Sequence, residues 1–254
     1  MNYFFEVVKY RNEPLFFFSL FCFMLAVVFL LLTKISSVQL VGVNIWYKPF
    51  KFALSIGLYA ITMAWYCYYL PSFNLPLFNW TIIILFGFEI LYIALQAGRG
   101  QASHFNLSTP LYAILFQLMG LAAAIVTLYT AYIGVLFFIN DFPSLSMAYV
   151  WGIRLGIIIF VVFSFEGALM GGRMAHSVGG EDGNIGIPLL NWSKKYGDLR
   201  IAHFIGMHAL QVLPLLANYL LKNTKAIFVV SALYGLLALF TLIQALNGKP
   251  FHKM

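Results

Sequence analysis

Leu15-Phe16-Phe17-Phe18-Ser19-Leu20-Phe21-Cys22-Phe23-Met24-Leu25-Ala26-Val27-Val28-Phe29-Leu30-Leu31-Leu32-Thr33 contains no charged side chain. At a rise of about 1.5 Å per residue such a run reaches roughly 28 Å as a helix, close to the ~30 Å thickness of a bilayer's hydrocarbon core. Six further apolar runs of comparable length follow, at residues 50–70, 80–97, 110–137, 148–171, 200–221 and 226–246. Of the 254 residues 62% are apolar and 9% charged, against roughly 25% charged in soluble domains. The chain therefore reads as all-α, a polytopic bundle of seven transmembrane helices forming a single integral membrane domain over residues 1–254. Residues 1–14 carry Glu6, Lys9, Arg11 and Glu13 and lead into a full-length span, so the first helix is expected to be retained and not cleaved as a signal.

Orientation follows from the lysines and arginines of the short loops, which accumulate on the cytoplasmic side. One face holds Lys9, Arg11, Lys222 and Lys225. The other holds Lys34, Lys48, Lys51, Arg99, Arg173, Lys194, Lys195, Arg200, Lys249 and Lys253. This places the N-terminus outside and the C-terminus in the cytoplasm, and for a bacterial chain it implies the inner membrane. The net charge of +7 is then topology and attraction to anionic lipid headgroups, and no nucleic-acid partner is expected. Cys22 and Cys67 lie inside spans without a CxxC pattern, as buried structural thiols do.

The candidate chemistry gathers toward the cytoplasmic half. His104 follows the third span, His176 follows the fifth, and His203 and His208 lie in the sixth. An ionisable group inside a membrane is costly unless paired, ligated or hydrated, so such histidines are functional candidates. His203 and His208 stand about 140° apart around a helix, which excludes chelation of one metal from a single face. Gln211 lies one turn beyond His208 on nearly the same face, and Pro214 interrupts the backbone ladder, so His208 and Gln211 are expected to line a wet pocket. Glu89, Glu166 and Gln117 lie well inside spans and should face the bundle interior, whereas Arg154 snorkels near the opposite interface.

Residues 175–198 form the long loop. Gly179, Gly180, Gly183, Gly186, Gly197 and Pro188 exclude a continuous helix and favour tight turns. Ile185, Ile187, Leu189, Leu190 and Trp192 form an apolar patch that can fold onto the helix ends as a lid. Glu181-Asp182-Gly183-Asn184 lacks the full spacing of a calcium loop and reads as turn chemistry. A faint repeat places Glu89, Arg99 and His104 in the same order as Glu166, Arg173 and His176.

Ser103-His104-Phe105-Asn106, the glycine-rich loop, and Gly197-Asp198-Leu199-Arg200 followed by His203-Phe204, His208-Ala209-Leu210-Gln211 and Pro214 resemble a widespread, uncharacterised family of bacterial seven-helix membrane proteins. The resemblance runs from Lys48-Pro49-Phe50-Lys51-Phe52 onward and implies a fold and a site, including Asn106, but no reaction. Glu89 and Glu166 fall outside its motifs.

Three functions are compatible with these residues, and they leave open whether the protein is an enzyme. In the first, histidines from two helices hold b-type haem or another transition metal for a redox role. His208 pairs with His104 or His176, and Arg99, Arg173 and Arg200 face the propionates. A quinone or a soluble donor is then the expected electron partner, and the sequence names neither. In the second, His104, His203 and His208 hold zinc, with Asp198 as general base acting on a lipid. The residue types are similar to those of the ceramidase and adiponectin-receptor superfamily, but their order and spacing differ. In the third, Glu89, Glu166 and His208 relay protons in a carrier, channel or sensor. Retinal is disfavoured, because residues 226–246 contain no lysine for a Schiff base. The sequence does not specify an oligomeric state.

Overall fold

The computed structural model describes residues 2–183 and 186–251. Among them all seven expected spans are helices, at Glu13–Ile35 (α2), Tyr47–Cys67 (α3), Leu75–Gly98 (α4), Pro110–Ile139 (α5), Met147–Arg173 (α6), Leu199–Leu221 and Thr224–Leu246 (α8). The sixth span is an α-helix, α7, over Leu199–Leu216 that passes into a π turn over Ala217–Leu221 just after Pro214. Asn12, Asn74, Ser146 and Asn223 cap the starts of α2, α4, α6 and α8 with side-chain oxygens. Each accepts backbone N–H groups that a helix start cannot pair internally.

The N-terminal stretch adds an element that apolar periodicity did not reveal, a short helix α1 at Asn2–Arg11. The chain divides into two compact units, residues 1–126 and 127–254, with the boundary falling in the sequence of α5 (Pro110–Ile139).

In the first unit α2 packs on α3 and α3 on α4, and α1 folds back onto α2 and α3. Two polar locks hold this end. The Arg11 guanidinium lies 3.7 Å from the Trp65 ring centroid, 4.9 Å from that of Tyr68 and 4.8 Å from that of Tyr69, whose hydroxyl accepts from Nη1 at 2.8 Å. Buried Asn12 and Asn79 exchange reciprocal amide bonds of 2.9 Å, tying the start of α2 to α4. At the opposite end of α2, Gln39–Leu40 (β1) and Val43–Asn44 (β2) form an antiparallel hairpin before α3.

In the second unit α6, α7 and α8 pack on one another. Glycines permit the α6–α7 approach: a Cβ on Gly156 would lie 2.8 Å from the Ala209 carbonyl oxygen, and one on Gly206 would lie 2.1 Å from the Phe163 side chain. Phe163, Ala202 and Ala238 form a shared core at this seam. The described residues of the long loop make backbone pairings of their own. Ser177–Val178 (β3) pairs antiparallel with Gly197–Asp198 (β4), and Gly186 bridges Ser193. Ile185, counted in that patch, lies outside the described residues, as does Asn184. β4 sits directly on α8, where a Cβ on Gly197 would lie 2.0 Å from the Ala245 carbonyl oxygen.

Candidate functional site

The polar centre of the second unit is built by Glu166 on α6 and His203 on α7. His203 lies one turn into α7 and Glu166 two turns before the end of α6, so both stand within about 6–10 Å of the loop-bearing helix ends. His203 Nδ1 is 2.7 Å from the backbone carbonyl oxygen of Phe163. A carbonyl only accepts, so Nδ1 carries the proton and Nε2 presents its lone pair in the neutral ring. Gly167 admits the ring to this position, because a Cβ there would lie 3.0 Å from His203 Cε1.

Glu166 Oε2 lies 3.3 Å from the same Nδ1, while the Glu166 side chain is 4% exposed and that of His203 28%. The distance is that of an ion pair. It is not an aligned hydrogen bond, because the N–H points at the Phe163 carbonyl. Neither carboxyl oxygen of Glu166 has a hydrogen-bond partner among the described residues. A buried acidic side chain thus stands beside an imidazole that is partly open to its surroundings. Sequence reasoning selected both residues but did not pair them, since nothing in the spacing of α6 and α7 fixes their register.

His208 lies deeper on α7. Its Nδ1 is 3.4 Å from Gln211 Oε1, the i+3 contact the sequence implied. Phe204 packs edge-on against His208 at 4.4 Å between ring centroids, and Trp192 of the long loop packs edge-on against Phe204 at 5.5 Å. Trp192 thus brings this part of the loop onto α7.

Asp198 and Arg200 fasten that loop. The Asp198 side chain is fully buried, and its Oδ2 accepts from Arg200 Nη2 at 2.6 Å and from the Ser193 N–H at 2.7 Å. Its Oδ1 accepts from Arg200 Nε at 2.9 Å and from the Arg200 backbone N–H at 3.1 Å, which caps α7. Arg200 Nη2 also donates to the Asn191 carbonyl at 2.5 Å. With both oxygens engaged twice, Asp198 is placed as a clamp, and Arg200 is turned into the loop.

His176 is engaged in a second latch. Its Nδ1 is 2.8 Å from Asp182 Oδ2, which also accepts the His176 backbone N–H at 3.0 Å, while Asp182 Oδ1 accepts the Ser177 N–H at 2.8 Å. Burial would raise the Asp182 carboxyl, but these bonds and the imidazole override it and hold it well below the usual carboxylate range. Turn chemistry is thus what the Glu181-Asp182-Gly183 stretch performs. Arg173 is exposed at the end of α6.

In the first unit, Ser103-His104-Phe105-Asn106 is a turn with Phe105 at φ 57°. Asn106 closes it by donating to the Ala102 carbonyl at 2.9 Å and accepting from Ser108. Ser103 Oγ lies 3.1 Å from His104 Nδ1, and the His104 ring packs against Phe52 and Phe116. Arg99 is exposed. Glu89 is buried as expected, but Gln117 is not. It lies on the exposed face of α5 between Ile114 and Leu121, because the helix buries Met119 and Ala122 instead. Arg154 donates from Nε to the Phe137 carbonyl at 2.8 Å and stacks near Phe138 and Trp151, satisfying the end of α5.

Among the described residues no three His, Cys, Asp or Glu side chains gather in a metal-binding group. Compared with protein-family models, curated proteins and solved structures, the chain finds no match.

Proposed function

We propose that this multi-pass membrane protein is proton-coupled, as a carrier, channel or sensor, and that the Glu166–His203 pair is where it binds its proton. One observation carries the reading: a buried carboxyl with no hydrogen-bond donor, 3.3 Å from a partly open imidazole. An isolated charge out of water costs several kcal/mol, whereas a carboxylic acid beside a neutral ring, or a carboxylate beside an imidazolium, carries no net charge. The pair therefore holds one proton between its two groups. Exchange proceeds through Nε2, because Nδ1 is committed to Phe163. A proton arriving at Nε2 makes the imidazolium, and Glu166 is the counter-charge that stabilises it.

The loop-bearing end carries Arg173, Lys195 and Lys249, so this reading sets that end in the cytoplasm of a bacterial inner membrane. The test is infrared titration of the purified protein. A protonated-carboxyl band that changes with pH and vanishes in Glu166→Gln supports the pair. A titration identical in the two proteins would exclude Glu166 as the proton-binding group. Proton flux into liposomes under an imposed potential then separates a channel from a carrier or sensor.

A second reading, haem or another transition metal, draws on the same imidazole. Metal-bound histidines commonly donate the other ring N–H to a carbonyl or carboxylate, as His203 does to Phe163. This moves the candidate ligand from His208 to His203. A Soret band lost in His203→Ala, in protein that remains folded, would favour it over the proton reading.

A further inference from the structure

We propose that two copies of this chain pair in the membrane along α5, with the Gln117 amide of one copy hydrogen-bonded to the partner's Gln117. The inference is independent of the Glu166–His203 reading, since its residues belong to the other unit.

Gln117 is a polar side chain on an otherwise apolar, exposed surface of a span. Among the described residues its amide makes no hydrogen bond. Exposed apolar side chains run past it in both directions along α5, Leu111 and Ile114 toward the helix start and Leu118, Leu121 and Ile125 beyond it. It stands about 10 Å along the axis from Pro110. Long Lys and Arg arms snorkel to the headgroups from such a depth, and the shorter Gln arm does not. The two donors and the acceptor of the amide therefore face hydrocarbon, which offers them no partner.

A neighbouring span can supply those hydrogen bonds, and a second copy does so with no further requirement. A two-fold axis along the membrane normal sets two identical chains at one depth and brings a residue near the axis onto its own counterpart. Carboxamides are self-complementary, each donating to the other's oxygen, as buried Asn12 and Asn79 do within this chain at 2.9 Å. The surface beside Gln117 permits the approach. Gly120 lies about 60° from it around the helix, is exposed, and would set a Cβ against nothing within 4 Å. No contact inside the chain asks for glycine there, whereas a close crossing of two spans does. Ala113 and Ala124 fall within about 40° of Gln117 and are partly exposed, so the strip on both sides of the amide is small as well.

Single-molecule photobleaching of the labelled full chain, reconstituted in vesicles over a range of protein-to-lipid ratios, tests this. The wild type should bleach in two steps and pass to one step as lipid is added. In Gln117→Leu the dissociation constant should rise by about threefold to thirtyfold, the range that interhelical hydrogen bonds cover in a bilayer. Gln117→Asn keeps a carboxamide and should fall between the wild type and Gln117→Leu, which separates hydrogen bonding from packing. Gly120→Leu should weaken pairing as well, with helix content unchanged. One-step bleaching of the wild type at every ratio would overturn the proposal. So would a dimer that Gln117→Leu and Gly120→Leu leave equally tight, because pairing would then use another face.

Discussion

His203 Nδ1 meets the Phe163 carbonyl oxygen at 2.7 Å across forty residues of sequence, and Gly167 is what lets it do so. In Gly167→Ala the new Cβ meets the imidazole carbon at 3.0 Å, so the ring must shift by a few tenths of an ångström. The expected result is a displaced Glu166 carboxyl band in infrared spectra with the helix content kept. Gly171→Ala is the control: a Cβ there has no neighbour within 4 Å, and the band should stay in place.

Two further glycines, Gly206 at this seam and Gly87 on α4, differ more sharply. Gly206→Ala drives a methyl to within 2.1 Å of Phe163, and overpacking of this kind typically costs about 1–3 kcal/mol. Gly87→Ala, whose Cβ meets nothing within 4 Å, should be neutral or stabilise the helix by up to about 1 kcal/mol. Thermal unfolding in detergent, compared for the two variants, checks both signs.

Removing Asp198 should release the long loop before it harms the spans. Asp198→Ala leaves Arg200 without its two-point partner and the Ser193 N–H without an acceptor. Breaking one side of a buried pair costs about 3–5 kcal/mol, and the quarter exposure of the Arg200 side chain puts this case at the lower end. Limited proteolysis within residues 186–198 should accelerate while the transmembrane helices resist. Unchanged cleavage would show that the loop is held by other contacts.

The apolar runs made the seven spans legible, because a membrane imposes one length and one composition on every helix that crosses it. Helix α1 escaped notice for the complementary reason: it is too short to span, and it is held by Arg11 among Trp65, Tyr68 and Tyr69, contacts more than fifty residues away in sequence. At the site, residue types were readable and partners were not. Asp198 reads from sequence as a candidate general base, because its bonds to Ser193 and Arg200 depend on loop geometry. Gln117 looked interior because polarity in a span argues for burial, yet the turn of α5 that buries Met119 faces it outward. The glycines Gly152, Gly156, Gly167 and Gly206 were the available signal for the α6–α7 approach, since small residues mark close helix contacts in membranes.

The His176–Asp182 latch should be acid-labile. The Asp182 carboxyl is held below its ordinary value, so its contribution is present above the unfolded value of about 4 and is lost as pH falls through the lower folded one. Asp182→Asn should therefore speed amide exchange at His176 and Ser177 at neutral pH. Rates corrected for intrinsic exchange should converge with the wild type as the medium becomes strongly acidic. A gap that persists there would assign the difference to something other than carboxylate charge.

Asn12 and Asn79 should be energetically inseparable. In Asn12→Ala the Asn79 amide keeps its burial and loses both reciprocal bonds, which costs about 1–3 kcal/mol for the stranded polar groups. Loss of the α2 cap at the Leu15 N–H adds about 1 kcal/mol. Asn79→Ala strands Asn12 in the same way but leaves that cap intact, so it should be the milder of the two. Alanine at both positions strands no amide, and the double variant should therefore be less destabilised than the two single costs added together, by about 0.5–3 kcal/mol. A double-mutant cycle on thermal unfolding in detergent reads that difference directly, and strict additivity would mean that the two amides do not bond to each other in the folded protein.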